Sequence, residues 1–134
     1  MKALQDAVYS ALNVSSLLAL APGGVHSPVA PDGTAYPYVR IQWGQGETDW
    51  TLGRQVSESI PFDVVAVVVG LDATPVENIK AQVDALLNDK ALTLAGKTLW
   101  ALRKTGEIPT YAELGDDGQM RLYGGCAYRA VVGV

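Results

Sequence analysis

The chain has 134 residues, of which 49% are apolar and 18% charged, and its formal net charge is −4. That length allows one domain with a real core and excludes two of ordinary size, and the composition is that of a folded protein. Mild acidity without a basic patch excludes tight binding of a phosphate backbone; it fits a protein partner, or a surface past which DNA slides without sticking.

Residues 2–12 read as a helix, with Leu4, Val8, Ala11 and Leu12 on one side and Lys2, Gln5, Asp6 and Ser10 largely on the other. Ser15 or Ser16 can start a further short turn carrying Leu17, Leu18 and Leu20, which Pro22-Gly23-Gly24 ends. Residues 25–36 are extended and turn-rich, with a short strand around residues 25–29. Residues 38–43 are a clearer strand, with Val39, Ile41 and Trp43 facing one way and Tyr38, Arg40 and Gln42 the other.

Residues 44–54 are polar and glycine-rich, and carry Glu47, Asp49, Trp50 and Arg54. Two readings stay open. The segment is a surface loop whose Trp50 folds back on the core, or a protruding arm with Trp50 as a subunit-contact anchor, since aromatic residues are enriched at interface hot spots.

Residues 56–69 are the central strand. One face (Val56, Glu58, Ile60, Phe62, Val64, Ala66, Val68) is apolar almost throughout. The other is polar as far as Asp63 and apolar from Val65 onward, so the strand should begin with one wet face and finish covered on both. Pro61 cannot donate to a ladder and marks a bulge or an unpaired edge. After a turn at residues 70–73, Thr74 is placed to cap a helix with Pro75 at its first position and Glu77 completing a capping box. Val76, Ile79, Val83, Leu86 and Leu87 form its apolar stripe, with Lys80 and Asp84 paired on the wet side.

Residues 91–97 form a turn region. Residues 98–104 are a strand, and residues 110–114 and 119–132 form a hairpin around Gly115-Asp116-Asp117-Gly118. In the last strand Met120, Leu122, Cys126, Tyr128, Ala130 and Val132 share one face, and Gly124-Gly125 marks a bulge or a close backbone approach. The order of elements predicts a single α+β domain, a mostly antiparallel sheet with helices on one face.

Motifs for chemistry are sparse. The single histidine, His26, and the single cysteine, Cys126, are far apart, so neither a metal site nor a nucleophile–base pair is indicated. Cys126 is expected to be a small buried apolar residue. Gly44-Gln45-Gly46 follows a strand but leads to no helix, and fails as a phosphate loop. Arg40, Arg121 and Arg129 lie on strands, where a solvated sheet face is the first reading. No cofactor is expected. No apolar run has the length of a membrane span, and residues 1–6 lack the apolar core of a signal peptide, so no membrane contact is expected.

The layout resembles the tail-terminator (tail-completion) proteins of long-tailed bacteriophages. The parts that carry the resemblance are the leucine-rich N-terminal helix and turn, the Gly24-to-Gly33 segment running into Tyr36-Pro37-Tyr38-Val39-Arg40-Ile41, the helix of residues 75–87 before Leu92-Thr93-Leu94-Ala95-Gly96, and the closing Tyr128-Arg129-Ala130-Val131-Val132. The resemblance implies a non-catalytic virion protein of the tail or neck, assembled in the host cytoplasm. It would form a homo-hexameric ring that caps the tail tube, stops its growth and docks the head–tail connector or stopper protein, with DNA passing through the lumen unbound. From exposure alone, the contact residues are expected in the arm (Glu47, Asp49, Trp50, Arg54) and at the hairpin tip (Asp116, Asp117). The alternatives are another neck ring, of the head-completion or stopper kind, or a small binding module or enzyme with a cleft near Tyr38, Arg40 and Trp43.

Overall fold

The computed structural model describes residues 2–27, 29–51 and 54–133, and of residues 49–51 and 54–56 only the backbone. Its elements are α1 (Lys2–Leu12), α2 (Ser15–Leu18), β1 (Val25–His26), β2 (Tyr38–Trp43), β3 (Glu47–Thr51), β4 (Arg54–Val69), α3 (Thr74–Leu87), β5 (Thr98–Leu114) and β6 (Met120–Gly133). The fold is α+β. One six-stranded sheet runs in the order β1-β2-β4-β6-β5, with β3 pairing β4 in line with β2. All pairings are antiparallel except β1 with β2.

The three helices share one face of the sheet. Leu4, Val8 and Leu12 of α1, Leu17 of α2 and Val76, Ile79, Val83 and Leu87 of α3 join Phe62, Val64, Leu122 and Tyr128 in a single buried cluster. Val65 and Val67 point to the opposite face, yet they are only 5% and 0% exposed. The second half of β4 is therefore covered on both sides, as its valine run predicts.

Pro61 falls where β4 changes partner along one edge. The β2 ladder ends at Trp43↔Phe62 and the β3 ladder begins at Glu47↔Ser59. Between them the Gly44 N–H donates to the Pro61 carbonyl at 2.8 Å. The missing N–H of proline thus lies in a gap where no ladder bond is required.

Three local expectations are corrected. Thr74 lies inside α3 rather than capping it: Ala73 holds the cap position, no side chain caps there, and Asp72 Oδ1 accepts the Thr74 N–H at 2.9 Å. The shorter reach of Asp72 within the turn meets that amide before a capping box can form, and the bond holds the Asp72 carboxyl below its ordinary value. Lys80 is not on the wet side. It is 9% exposed, its Nζ lies 3.7 Å from Glu77, and Asp84 instead accepts the Tyr128 hydroxyl at 3.2 Å. Finally, residues 98–104 and 110–114 are not separate strands but one seventeen-residue strand, β5, with three register shifts. The polar stretch and Pro109 between them sit on a sheet edge, where bulges and proline are tolerated and blunt unwanted pairing.

Gly124 and Gly125 mark a close approach, as expected. A β-carbon on Gly124 would lie 2.8 Å from a Val76 methyl of α3, and one on Gly125 would collide with the backbone of Val64. Gly125→Ala should therefore destabilise the fold by about 1–3 kcal/mol. Gly106, whose added β-carbon would meet nothing within 4 Å, is the control. Urea unfolding of the two variants decides the point; equal midpoints would refute the packing account.

Candidate functional site

Among the described residues no helix covers the second face of the sheet, where aromatic and cationic side chains gather. The register sets Tyr38, Val67, Tyr123 and Tyr111 in one row across β2, β4, β6 and β5. Tyr111 and Tyr123 stack with ring centres 5.1 Å apart, and Tyr36, from the preceding loop, tilts against Tyr38 at 5.3 Å. Rings on both sides of Val67 explain how it is buried without a helix above it. Burial raises the Tyr38 and Tyr123 hydroxyls above their ordinary value, so both stay protonated donors.

Arg121 closes one end of this row. Its Nε donates to the Tyr36 hydroxyl at 2.8 Å and its NH2 donates to Asp117 Oδ2 at 3.1 Å. Towards the other end, Arg103 and Arg129 stand directly opposite each other across β5 and β6. Arg129 donates to Ser59 Oγ at 2.8 Å, while Arg103 reaches Asp89 at 3.2 Å. Both members of that ion pair are largely exposed, so it contributes little. Beside them Trp100, at a register shift of β5, lies against Gly133 and is 58% exposed.

The candidate contact residues separate to opposite ends of the molecule. The β4–β6 ladder runs unbroken from Ser57↔Gly133 to Val69↔Arg121. The β3–β4 hairpin projects from the first end, with Glu47 exposed on it. The backbones of Asp49, Trp50 and Arg54 belong to that hairpin, but their side chains lie outside the described residues. Asp116 and Asp117 are exposed at the other end, on the β5–β6 turn, where Asp117 Oδ1 accepts the Gln119 N–H at 3.0 Å. Leu71 and Leu114, 81% and 66% exposed, flank the same end. Their exposure was not read from the sequence, because an isolated leucine beside a turn carries no sign of which way it faces.

The cleft expected near Tyr38, Arg40 and Trp43 does not assemble, because Trp43 points to the helix side and packs on Phe62 with ring centres 4.6 Å apart. Strand alternation places it opposite Tyr38 and Arg40. A shallow cleft of about 360 Å³ does lie between residues 30–34, Tyr36, Tyr38 and Arg121. Its one guanidinium is already engaged by Tyr36 and Asp117. A second, charged depression under α3 gathers Glu77, Lys80, Asp84, Lys104, Glu107 and Cys126. Burial pushes the Cys126 thiol above its ordinary value, which disfavours the thiolate a nucleophile needs. Among the described residues no group of three His, Cys, Asp or Glu could hold a metal ion, and no helix is long and apolar enough to cross a membrane.

No family model and no curated protein sequence matches this chain. A solved structure does: a chain of "Virion of native gene transfer agent (GTA) particle" superposes with a TM-score of 0.71 at 20% identity, over 99% of this chain and 96% of that one. The two chains share a fold from end to end.

One acid on the open face is measurable directly. Burial holds the Asp63 carboxyl above its ordinary value. The folded state therefore binds this proton more tightly than the unfolded state, and stability is lost as pH rises from the unfolded value through the folded one. Asp63→Asn should raise stability at pH 7 and flatten its pH dependence between pH 4 and neutrality. Thermal melts at a series of pH values test this, and an Asn variant less stable than wild type at pH 7 would show that the carboxylate has a favourable partner.

Proposed function

We propose that the chain is a structural subunit of a phage-like virion particle, and specifically the tail terminator. In this reading six copies form a ring at the head-proximal end of the tail. One face of the ring stops growth of the tube, and the other docks the connector or stopper protein of the head. DNA passes through the lumen, and no step of the function is chemical.

The observation that carries the virion part of this reading is the end-to-end structural match, at a TM-score of 0.71, to a chain of a gene transfer agent virion particle; the terminator role rests on the resemblance in the sequence. A match over 96% of that chain compares whole subunits rather than a shared core. Two features support the ring. Hairpins project from opposite ends of a ladder that spans twelve residue steps, about 40 Å at the rise of a β-strand. Between them lies a sheet face of tyrosine, tryptophan and arginine, the side chains that dominate protein interfaces. A ring subunit needs several separate contact surfaces, and heterologous contacts that close produce a ring.

Native mass spectrometry over a range of concentrations, with negative-stain images of the same sample, gives the first test. Closed six-membered rings are expected. The second test adds the protein to growing tail tubes, which should stop at a uniform length with density at one end. Protein that neither binds nor caps tubes would refute the terminator reading. Rings that bind a connector but leave tubes growing would move the protein to a neighbouring position in the neck.

A further inference from the structure

The Arg103–Arg129 pair is costly as it stands. Like charges directly opposite each other on a ladder repel. Arg129 is satisfied by a neutral hydroxyl, and Arg103 by one exposed carboxylate at the strand edge. The chain as a whole is acidic, with a net charge of −4, yet four of its five arginines (40, 103, 121 and 129) stand on this one sheet face. With Trp100 beside them, Arg103 and Arg129 make a cationic and aromatic patch whose chemistry suits an anionic, partly apolar knob.

The same chain carries such a knob. The β5–β6 turn presents Asp116 and Asp117, with the exposed apolar side chains of Leu71 and Leu114 at its base. Of the two acids, Asp117 is engaged within its own copy by Arg121 and the Gln119 amide. The tip cannot fold back on its own receptor. It begins at Met120, nine strand positions from Arg129, which is about 30 Å along a rigid ladder.

We propose that the Asp116–Asp117 tip of one copy docks on the Trp100–Arg103–Arg129 patch of the next. Knob and receptor are different surfaces on one chain, so the contact, made head to tail, passes from copy to copy and forms a ring where the rotation closes. This deepens the ring reading and rests on it. Nucleic acid is the weaker occupant, since Asp63 and Glu113 share the face with the arginines and the net charge opposes a polyanion.

The test uses Arg103→Glu and Asp116→Lys, both at exposed positions, with circular dichroism to verify folding. Each variant alone should need at least about tenfold more protein to assemble than wild type. The double variant R103E/D116K, which restores opposite charges across every contact, should return towards the wild-type value. An equal mixture of the two single variants should also assemble, in alternating and therefore even-numbered rings. If wild type assembles and the single variants match it, or if neither the double variant nor the mixture recovers, the contact is overturned and the ring reading survives. A wild type that stays monomeric overturns the self-contact, and the tube-capping assay then judges the function separately.

Discussion

The register between β4 and β6 is the constraint on which the rest depends. It holds without interruption over thirteen paired positions, from Ser57↔Gly133 to Val69↔Arg121. A slip by one residue would turn Ile60, Phe62, Val64 and Val68 away from the helices and bring Ser59 and Asp63 beneath them. The hydrophobic cost of that exchange locks the pairing. The same lock fixes which residues reach the other face, and so the row of tyrosines and the paired arginines follow from it. Gly124 and Gly125 are part of the arrangement, because only a strand without β-carbons there can sit so close to Val64 and to Val76 of α3.

The two faces of the sheet solve different problems. On the helix side, buried apolar side chains do the holding, and polar groups that intrude are paired: Lys80 with Glu77, Lys104 with Glu107, Tyr128 with Asp84. The open side buries Val65 and Val67 beneath a thin layer of aromatic and arginine side chains whose stems and rings are themselves half in water. Such a layer stabilises the monomer and still offers rigid, low-entropy groups to a partner. A face of this kind is stable in a single copy and still open to a partner.

Much of the fold was legible in the sequence, for identifiable reasons. The boundaries of α1 and β2, the double burial of β4, the apolar stripe of α3 and the inward face of β6 all follow from simple periodicity. Periodicity failed where another rule took over. Around residues 105–109 the alternation lapses because the outer half of β5 is an edge exposed on both sides, so nothing selects a pattern there. Lys80 was misplaced because its long stem lets the ammonium reach an acidic neighbour from an inward position. Cross-strand relations such as Arg103 opposite Arg129 need a register across 26 residues of chain, and single-strand patterns do not contain it. The hairpin acids at 116 and 117 were legible because a turn of that composition has only one place to go, which is out.

The burial of Cys126 has a practical side. It is the chain's only thiol, it is 2% exposed, and it faces α3 from the middle of β6. With so little of the thiol exposed, an alkylating reagent depends on local opening around it, and the labelling rate is a clock for that opening. If opening and closing are fast, the rate reports the free energy of the event; if labelling outpaces closing, it reports the opening rate itself. The unmodified chain therefore carries its own probe of how tightly the helical layer is held, with no engineered label to disturb its surface.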